Sequence, residues 1–148
     1  MTVLEEAANR IALLDIGKML NEIYSQKPVQ DYIIQLNTGE QLYNQGVASN
    51  NKEIGQYAES TKVSKRRKGL ISDHITLKDT GDFYNTFQVF IEGDEFELQA
   101  DPIKGTVNLY QKYGTDIVGL TDQSLNKFIN STLIQQIQTK FLVQIGFL

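Results

Sequence analysis

"YNTFQVFIEGDEFELQAD", residues 84–101, decides the fold. Phe87, Val89 and Ile91 alternate with Thr86, Gln88 and Phe90, the period of two that marks a strand with one buried face. Gly93-Asp94 interrupts the alternation with a two-residue hairpin signal. Folding the chain there sets Ile91 opposite Phe96, Val89 opposite Leu98 and Phe87 opposite Ala100. All six then share one face, the register a buried sheet face requires. Glu95, Glu97 and Asp101 point the other way.

The segment leading into the hairpin is "HITLKDTGDFYNTF", residues 74–87. It holds the chain's single histidine, the tripeptide Asp79-Thr80-Gly81 and the aromatics Phe83, Tyr84 and Phe87. Asp-Thr-Gly is the water-activating signature of aspartic proteases, so a catalytic reading needs testing. Such an aspartate sits in a dry loop where two carboxylates share a proton, which demands apolar residues just before it. Here Lys78 precedes Asp79, and Asp82 follows Gly81 where a small residue is expected. A lysine in that slot would have to be buried. "DIVGL", residues 116–120, imitates the second protease motif, but a tight hairpin lies where the glycine-rich flap belongs. The turn reading needs no chemistry. Asp and Thr side chains accept amide hydrogens at turns, and glycine takes angles other residues avoid. Asp79 would cap a brief turn that re-aims the chain into the strand and drops Phe83, Tyr84 and Phe87 into the core. Ile75 and Leu77 then form a short strand or an extended approach to it.

Helical patterns flank this centre. Residues 2–26 read as one helix: Thr2 and Glu5 have capping-box spacing, and Leu4, Ala8, Ile11, Ala12, Ile16, Met19 and Ile23 form a broad apolar band. Val3, Ala7 and Leu14 fall on another side, so the helix contacts two neighbours, the second being its own domain or another subunit. Pro28 suits a helix start, with Val29, Tyr32, Ile33 and Leu36 following at helical spacing. Asn37 and Glu40 repeat the capping-box spacing, which predicts a second short helix ending at Gly46. "VASNNKEIGQY" is a loop or loose hairpin anchored by Ile54 and Tyr57. Ser60 or Thr61 caps a short helix closed by Gly69. Asp101-Pro102 and Lys104-Gly105 mark a turn, and Asn108 to Tyr113 one or two helical turns ended by Gly114. Thr121 caps the last helix. Its apolar row of Leu125, Ile129, Leu133, Ile137, Phe141 and Ile145 is spaced by four and drifts about 40° per step, so the helix bends or serves more than one contact. The fold class is α+β: an antiparallel sheet with its central hairpin over 84–101, packed by long N- and C-terminal helices.

The totals set outer limits. A chain of 148 residues fits a single domain, 1–148, with a core that needs no staples. With no cysteine there are no disulfides or thiolate metal sites, and one histidine argues against a histidine-based one. No metal or cofactor is expected. No apolar run approaches the roughly 18–20 residues that span a bilayer, and the N-terminus does not read as a signal peptide. A net charge of −4 gives no global pull toward nucleic acid. No nucleophile elbow surrounds His74, and neither glycine pattern for cradling phosphate occurs. Against that acidic background, Lys62, Lys65, Arg66, Arg67 and Lys68 concentrate five of the fourteen basic residues. They read as a patch for phosphate or an acidic partner surface, or as a solvated helix face.

Three stretches taken in order, "IGQYAEST", "HITLKDTGDFYNTF" and "YQKYGTDIVGLTD", resemble the neck or tail-completion proteins of tailed phages and prophages, also called virion morphogenesis proteins. That pattern is a Tyr-x-x-x-Thr loop, a basic segment, and a Leu-x-Asp-Thr-Gly-x-Leu/Phe turn into a strand. Tyr57 and Thr61 supply the first part, Lys65 to Lys68 the second, and Leu77, Asp79, Thr80, Gly81, Phe83, Thr86 and Phe87 the third. The match covers roughly 41–122, and the chain departs from the better-known members in lacking their tryptophan near the tyrosine loop. The resemblance implies a non-enzymatic subunit of the head–tail junction. Such a subunit forms a homo-oligomeric ring, touches the portal side or the tail-tube side, lies near DNA and is localised in the virion after assembly in host cytoplasm. It implies no catalytic residues.

The expected contact surfaces are therefore the basic segment and the C-terminal "FLVQIGFL", with Phe141, Ile145, Phe147 and Leu148. That apolar end docks on its own domain or on a neighbour. The competing expectations are a nucleic-acid-binding accessory protein using 62–68 and, more remotely, a protease-like enzyme using Asp79.

Overall fold

The computed structural model describes residues 2–148. Helix α1 (Val3–Ala12) opens with the predicted capping box: Thr2 Oγ1 accepts the Glu5 amide at 3.1 Å, and Glu5 Oε2 accepts the Thr2 amide at 2.7 Å. The single helix expected over 2–26 is split in two. Asp15 starts α2 (Ile16–Tyr24) by accepting the Lys18 amide at 3.0 Å. An aspartate that caps offers the backbone an alternative to continuing the turn before it, and this decides the break.

Helix α3 (Lys27–Gln35), with proline in its first turn, runs straight on through wide i→i+5 turns over Leu36–Gln45 to Gly46, at φ +66°. Asn37 therefore caps nothing, which corrects the expectation of a separate short helix. The predicted end at Gly46 is where the chain stops. A Cβ there would stand 2.6 Å from the His74 ring, so Gly46 is required by both angle and space. Helix α4 (Glu59–Arg67) begins at Ala58, ahead of Ser60 and Thr61, and closes at Gly69 with Leu70 N–H bonded to the Lys65 carbonyl.

Strands β1 (Gln88–Glu92) and β2 (Glu95–Gln99) form the hairpin in the expected register, Val89 opposite Leu98 and Ile91 opposite Phe96. The ladder stops at Gln88 and Gln99. Phe87 follows a tight turn over Tyr84–Thr86, and the Thr86 hydroxyl takes the Asp101 amide at 3.0 Å. A second, two-residue ladder joins β3 (Ile103–Lys104) to β4 (Val107–Asn108) where only a turn was expected, and Asn108 then caps α5 (Leu109–Tyr113). Thr121 caps α6 (Asp122–Phe128), which continues through a wide turn at Ile129–Leu133 into α7 (Ile134–Ile145). A turn closed by i→i+5 bonds holds more residues than the α-helix's roughly 3.6. A row spaced by four drifts backward there and forward elsewhere. Ile129, Leu133, Ile137, Phe141 and Ile145 consequently all stay at least half-buried. The architecture is α+β, with helices at both ends and two small antiparallel sheets.

The inner hairpin face meets α2, α3 and Phe128. Phe128 is fully buried with its ring edge-on to Phe96 at 5.9 Å, and Ile23, Ile33 and Leu36 close around it. A second cluster gathers Leu42, Ile75, Leu77, Phe83, Phe87, Leu109 and Ile117, and Leu98 packs against both. Ile75 and Leu77 are the extended approach rather than a strand. No buried side-chain nitrogen or oxygen among the described residues lacks a hydrogen-bond partner.

Candidate functional site

The approach to the Asp-Thr-Gly corner is tied around Thr76, which is almost fully buried. Its amide donates to the Tyr57 hydroxyl at 3.0 Å, and its carbonyl accepts the Tyr84 hydroxyl. Its own hydroxyl accepts the Lys78 amide at 3.2 Å and donates to the Lys78 carbonyl at 3.3 Å. Those last two bonds bracket Leu77, which sits at φ +58°, a conformation costing a non-glycine residue about 1–2 kcal/mol. Burial of the Leu77 side chain and the clamp from Thr76 hold it there. Lys65 reaches in from α4, its ammonium 3.2 Å from the Lys78 carbonyl and 4.6 Å from the Tyr57 ring centroid.

The two tyrosines bond in opposite senses, and their acidities follow. Burial pushes the Tyr57 phenol up, but the hydrogen bonds from Thr76 and the nearby Lys65 ammonium outweigh it and leave its pKa below the ordinary value. Burial drives the Tyr84 phenol well above the ordinary value, and the neighbouring Tyr57 and Tyr43 phenols add to that.

The corner itself turns on Thr80 and Gly81. Thr80 Oγ1 takes the Asp82 amide at 3.4 Å, and the Gly81 carbonyl takes the Asn85 amide at 3.0 Å, with Gly81 at φ +91°. Asp79, expected to cap, instead faces Lys68 at 3.5 Å with its side chain 42% exposed. A half-solvated carboxylate beside an ammonium is the reverse of a dry pair sharing a proton. His74 is likewise occupied, its Nε2–H donating to the Tyr43 carbonyl at 2.6 Å and its Nδ1 lying 2.9 Å from Asp73.

Beside the knot lies a cavity of about 300 Å³. Lys65, Lys78, Lys104 and Lys112 stand around it, over a floor that includes Leu109 and Tyr113. Among the described residues, none of these four lysines forms an ion pair. Lys78 lies over the Tyr43 ring at 5.1 Å and Lys112 over Tyr113 at 5.3 Å. Three of the four come from outside the basic run, brought together by the 74–81 segment, β3 and α5. No spacing in the sequence announces such a set.

The basic run is dispersed. Lys62 pairs with Glu59 at 3.4 Å, Lys65 is buried, Arg66 donates to Ser72 Oγ at 3.3 Å, and Lys68 is held by Asp79. Arg67 is exposed. At the C-terminal end, Phe147 and Leu148 are exposed, Phe141 is half-buried and Ile145 is buried. Ile145 packs into the chain's own core from its place on the inward row, the first of the two expected ways for this end to dock. Exposed Val143 joins Phe147 and Leu148, and α1, which packs on α7, adds exposed Val3, Leu4 and Leu13.

Comparison with known families, with characterised proteins and with solved structures finds no match to this chain.

Proposed function

We propose that this chain is a structural subunit of a tailed-phage head–tail junction, working by contact with copies of itself and with neighbouring virion proteins on the portal or tail-tube side. The apolar end surface carries the assembly part of this reading. Val3, Leu4, Leu13, Val143, Phe147 and Leu148 are each more than half exposed, on or just beyond α1 and α7, which touch. Large apolar side chains left this exposed on two packed helices are candidates for a surface that another protein covers. The placement at the junction rests on the ordered resemblance. Its three parts, Tyr57, the basic segment and the Asp-Thr-Gly turn, are joined here through Thr76, Lys65 and Lys68. A motif whose separated pieces build one local structure has a physical reason to recur in that order.

Nucleic-acid binding through 62–68 is the weaker reading, because Lys62, Lys65 and Lys68 already have partners within the chain. The test is made in the virion. Quantitative mass spectrometry of purified particles is expected to find the chain in fixed ratio to the portal protein, and its deletion is expected to leave DNA-filled heads and separate tails. Particles without the chain, or a deletion that leaves assembly intact, would overturn the reading.

A further inference from the structure

The hairpin's outer face and the lysine-ringed cavity have matching chemistry. On the outer face Phe90 is 46% exposed, and Glu97 lies directly across the ladder from it. Glu92 and Glu95 pair at the hairpin tip, and both are exposed. None of these three glutamates forms an ion pair among the described residues. The face thus presents a half-exposed aromatic ring among three carboxylates. The cavity is the converse, an apolar floor bordered by four lysines and one carboxylate, Asp79, which Lys68 already pairs. Lys65 is engaged by the Lys78 carbonyl, so Lys78, Lys104 and Lys112 remain without an acidic partner among the described residues. No residue of the outer face lines the cavity, so the two surfaces are separate sites on one chain.

We propose that Phe90 of one copy seats in the lysine-ringed cavity of a second copy, with Glu92, Glu95 and Glu97 facing Lys78, Lys104 and Lys112. This proposal rests on the assembly reading above and names the contact between copies. Because the two surfaces differ, the contact is head-to-tail, and repetition closes a ring or extends a filament rather than ending at a dimer. A buried aromatic anchor supplies affinity, while opposed charges set the register and speed encounter. Self-repulsion of like surfaces disfavours the alternative two-fold pairing of cavity with cavity.

The experiment uses charge reversal in the full chain, read by native mass spectrometry and sedimentation velocity. The wild-type chain is expected to form a closed oligomer that weakens with salt. Lys104→Glu with Lys112→Glu, or Glu95→Lys with Glu97→Lys, is expected to weaken association by about tenfold or more. An equimolar mixture of the two reversed proteins offers two charge-matched contacts, unchanged hairpin to unchanged cavity and reversed hairpin to reversed cavity, and is expected to regain oligomers in which the two proteins alternate. A chain carrying all four changes is expected to regain the oligomer, which also shows that the variants fold. Oligomers unchanged by either reversal would overturn this contact and leave the assembly reading standing. A wild-type chain that stays monomeric at all concentrations, with no mixed oligomer from the two reversed proteins, would overturn it too, while the particle test above decides the reading separately.

Discussion

Asn37 holds Gly119 from inside the core: its Oδ1 accepts the Gly119 amide at 2.7 Å, while its Nδ2 donates to the Ile117 carbonyl at 3.2 Å. One turn further on, Gln41 repeats the arrangement, donating to the Gly119 carbonyl at 2.8 Å and accepting the Thr121 amide at 2.9 Å. Both side chains are fully buried. Two amides thus act as a short strand for residues 117–121, which have no ladder partner, and they fix the start of α6. Replacing Asn37 with Leu strands a buried N–H and a buried carbonyl, each worth roughly 1–3 kcal/mol. The expected loss is about 2–4 kcal/mol, or roughly 5–15 °C in thermal midpoint for a chain this size. A change under about 1 kcal/mol in a denaturant titration would show that water replaces the amide.

The hairpin was legible because its evidence is local: alternation, a Gly-Asp turn and a register that only one pairing satisfies. The caps at Thr2 and Thr121 and the stops at Gly46, Gly69 and Gly114 were legible for the same reason. Asn37 was misread because its distance to Glu40 fits a capping box as well as it fits a buried latch, and only the partner strand at 117–121 separates the two. The break at Asp15 lay inside an unbroken apolar band, where periodicity outvoted a single capping residue. The lysine ring was invisible for a stronger reason. Lys65, Lys78, Lys104 and Lys112 lie on four separate segments, and their meeting is a property of tertiary packing alone.

Gly81 tests how far the corner depends on backbone angle. Its φ is +91°, and a Cβ added there would meet nothing closer than Lys78 Cε at 3.9 Å. Gly81→Ala therefore adds conformational strain without a clash. The expected cost is about 1–2 kcal/mol in chemical denaturation, with the fold retained. Gly46→Ala, by contrast, adds the same strain plus collision with the His74 ring, and the larger loss of the two is expected there. Equal losses would mean that the His74 ring moves aside freely.

The tyrosine pair gives the alkaline limb of stability a definite sign. Tyr84 has its folded pKa raised, first by burial, so its contribution is fully present below the unfolded value of about 10 and is lost as pH rises above it. Burial likewise raises Tyr24 and Tyr110, which act in the same direction. Tyr57 has its folded pKa lowered, so its contribution appears above that pKa and is lost as pH falls through it. Unfolding free energy measured from pH 8 to pH 11 is expected to fall above about 10 in the wild-type chain. Tyr84→Phe is expected to flatten that fall and Tyr57→Phe to steepen it. Identical slopes in the two variants would refute the opposed roles assigned to them.

Two residues near the C-terminal end separate folding from assembly. Ile145 is 7% exposed and Phe147 is 52% exposed, so neighbouring apolar side chains face opposite surroundings. Ile145→Ala is expected to cost about 2–4 kcal/mol of stability, the usual loss for a buried aliphatic side chain. Phe147→Ser combined with Val143→Thr is expected to stay within about 0.5 kcal/mol of the wild type, as surface changes do. The proposed role predicts the reverse order in particles. When supplied to a strain lacking the chain, the doubly changed protein is expected to fold normally and yet leave heads and tails unjoined, because the surface that a neighbour covers has become polar. Full complementation by that variant would remove the apolar end from the assembly contact. A stability loss matching that of Ile145→Ala would instead assign Val143 and Phe147 to the chain's own core.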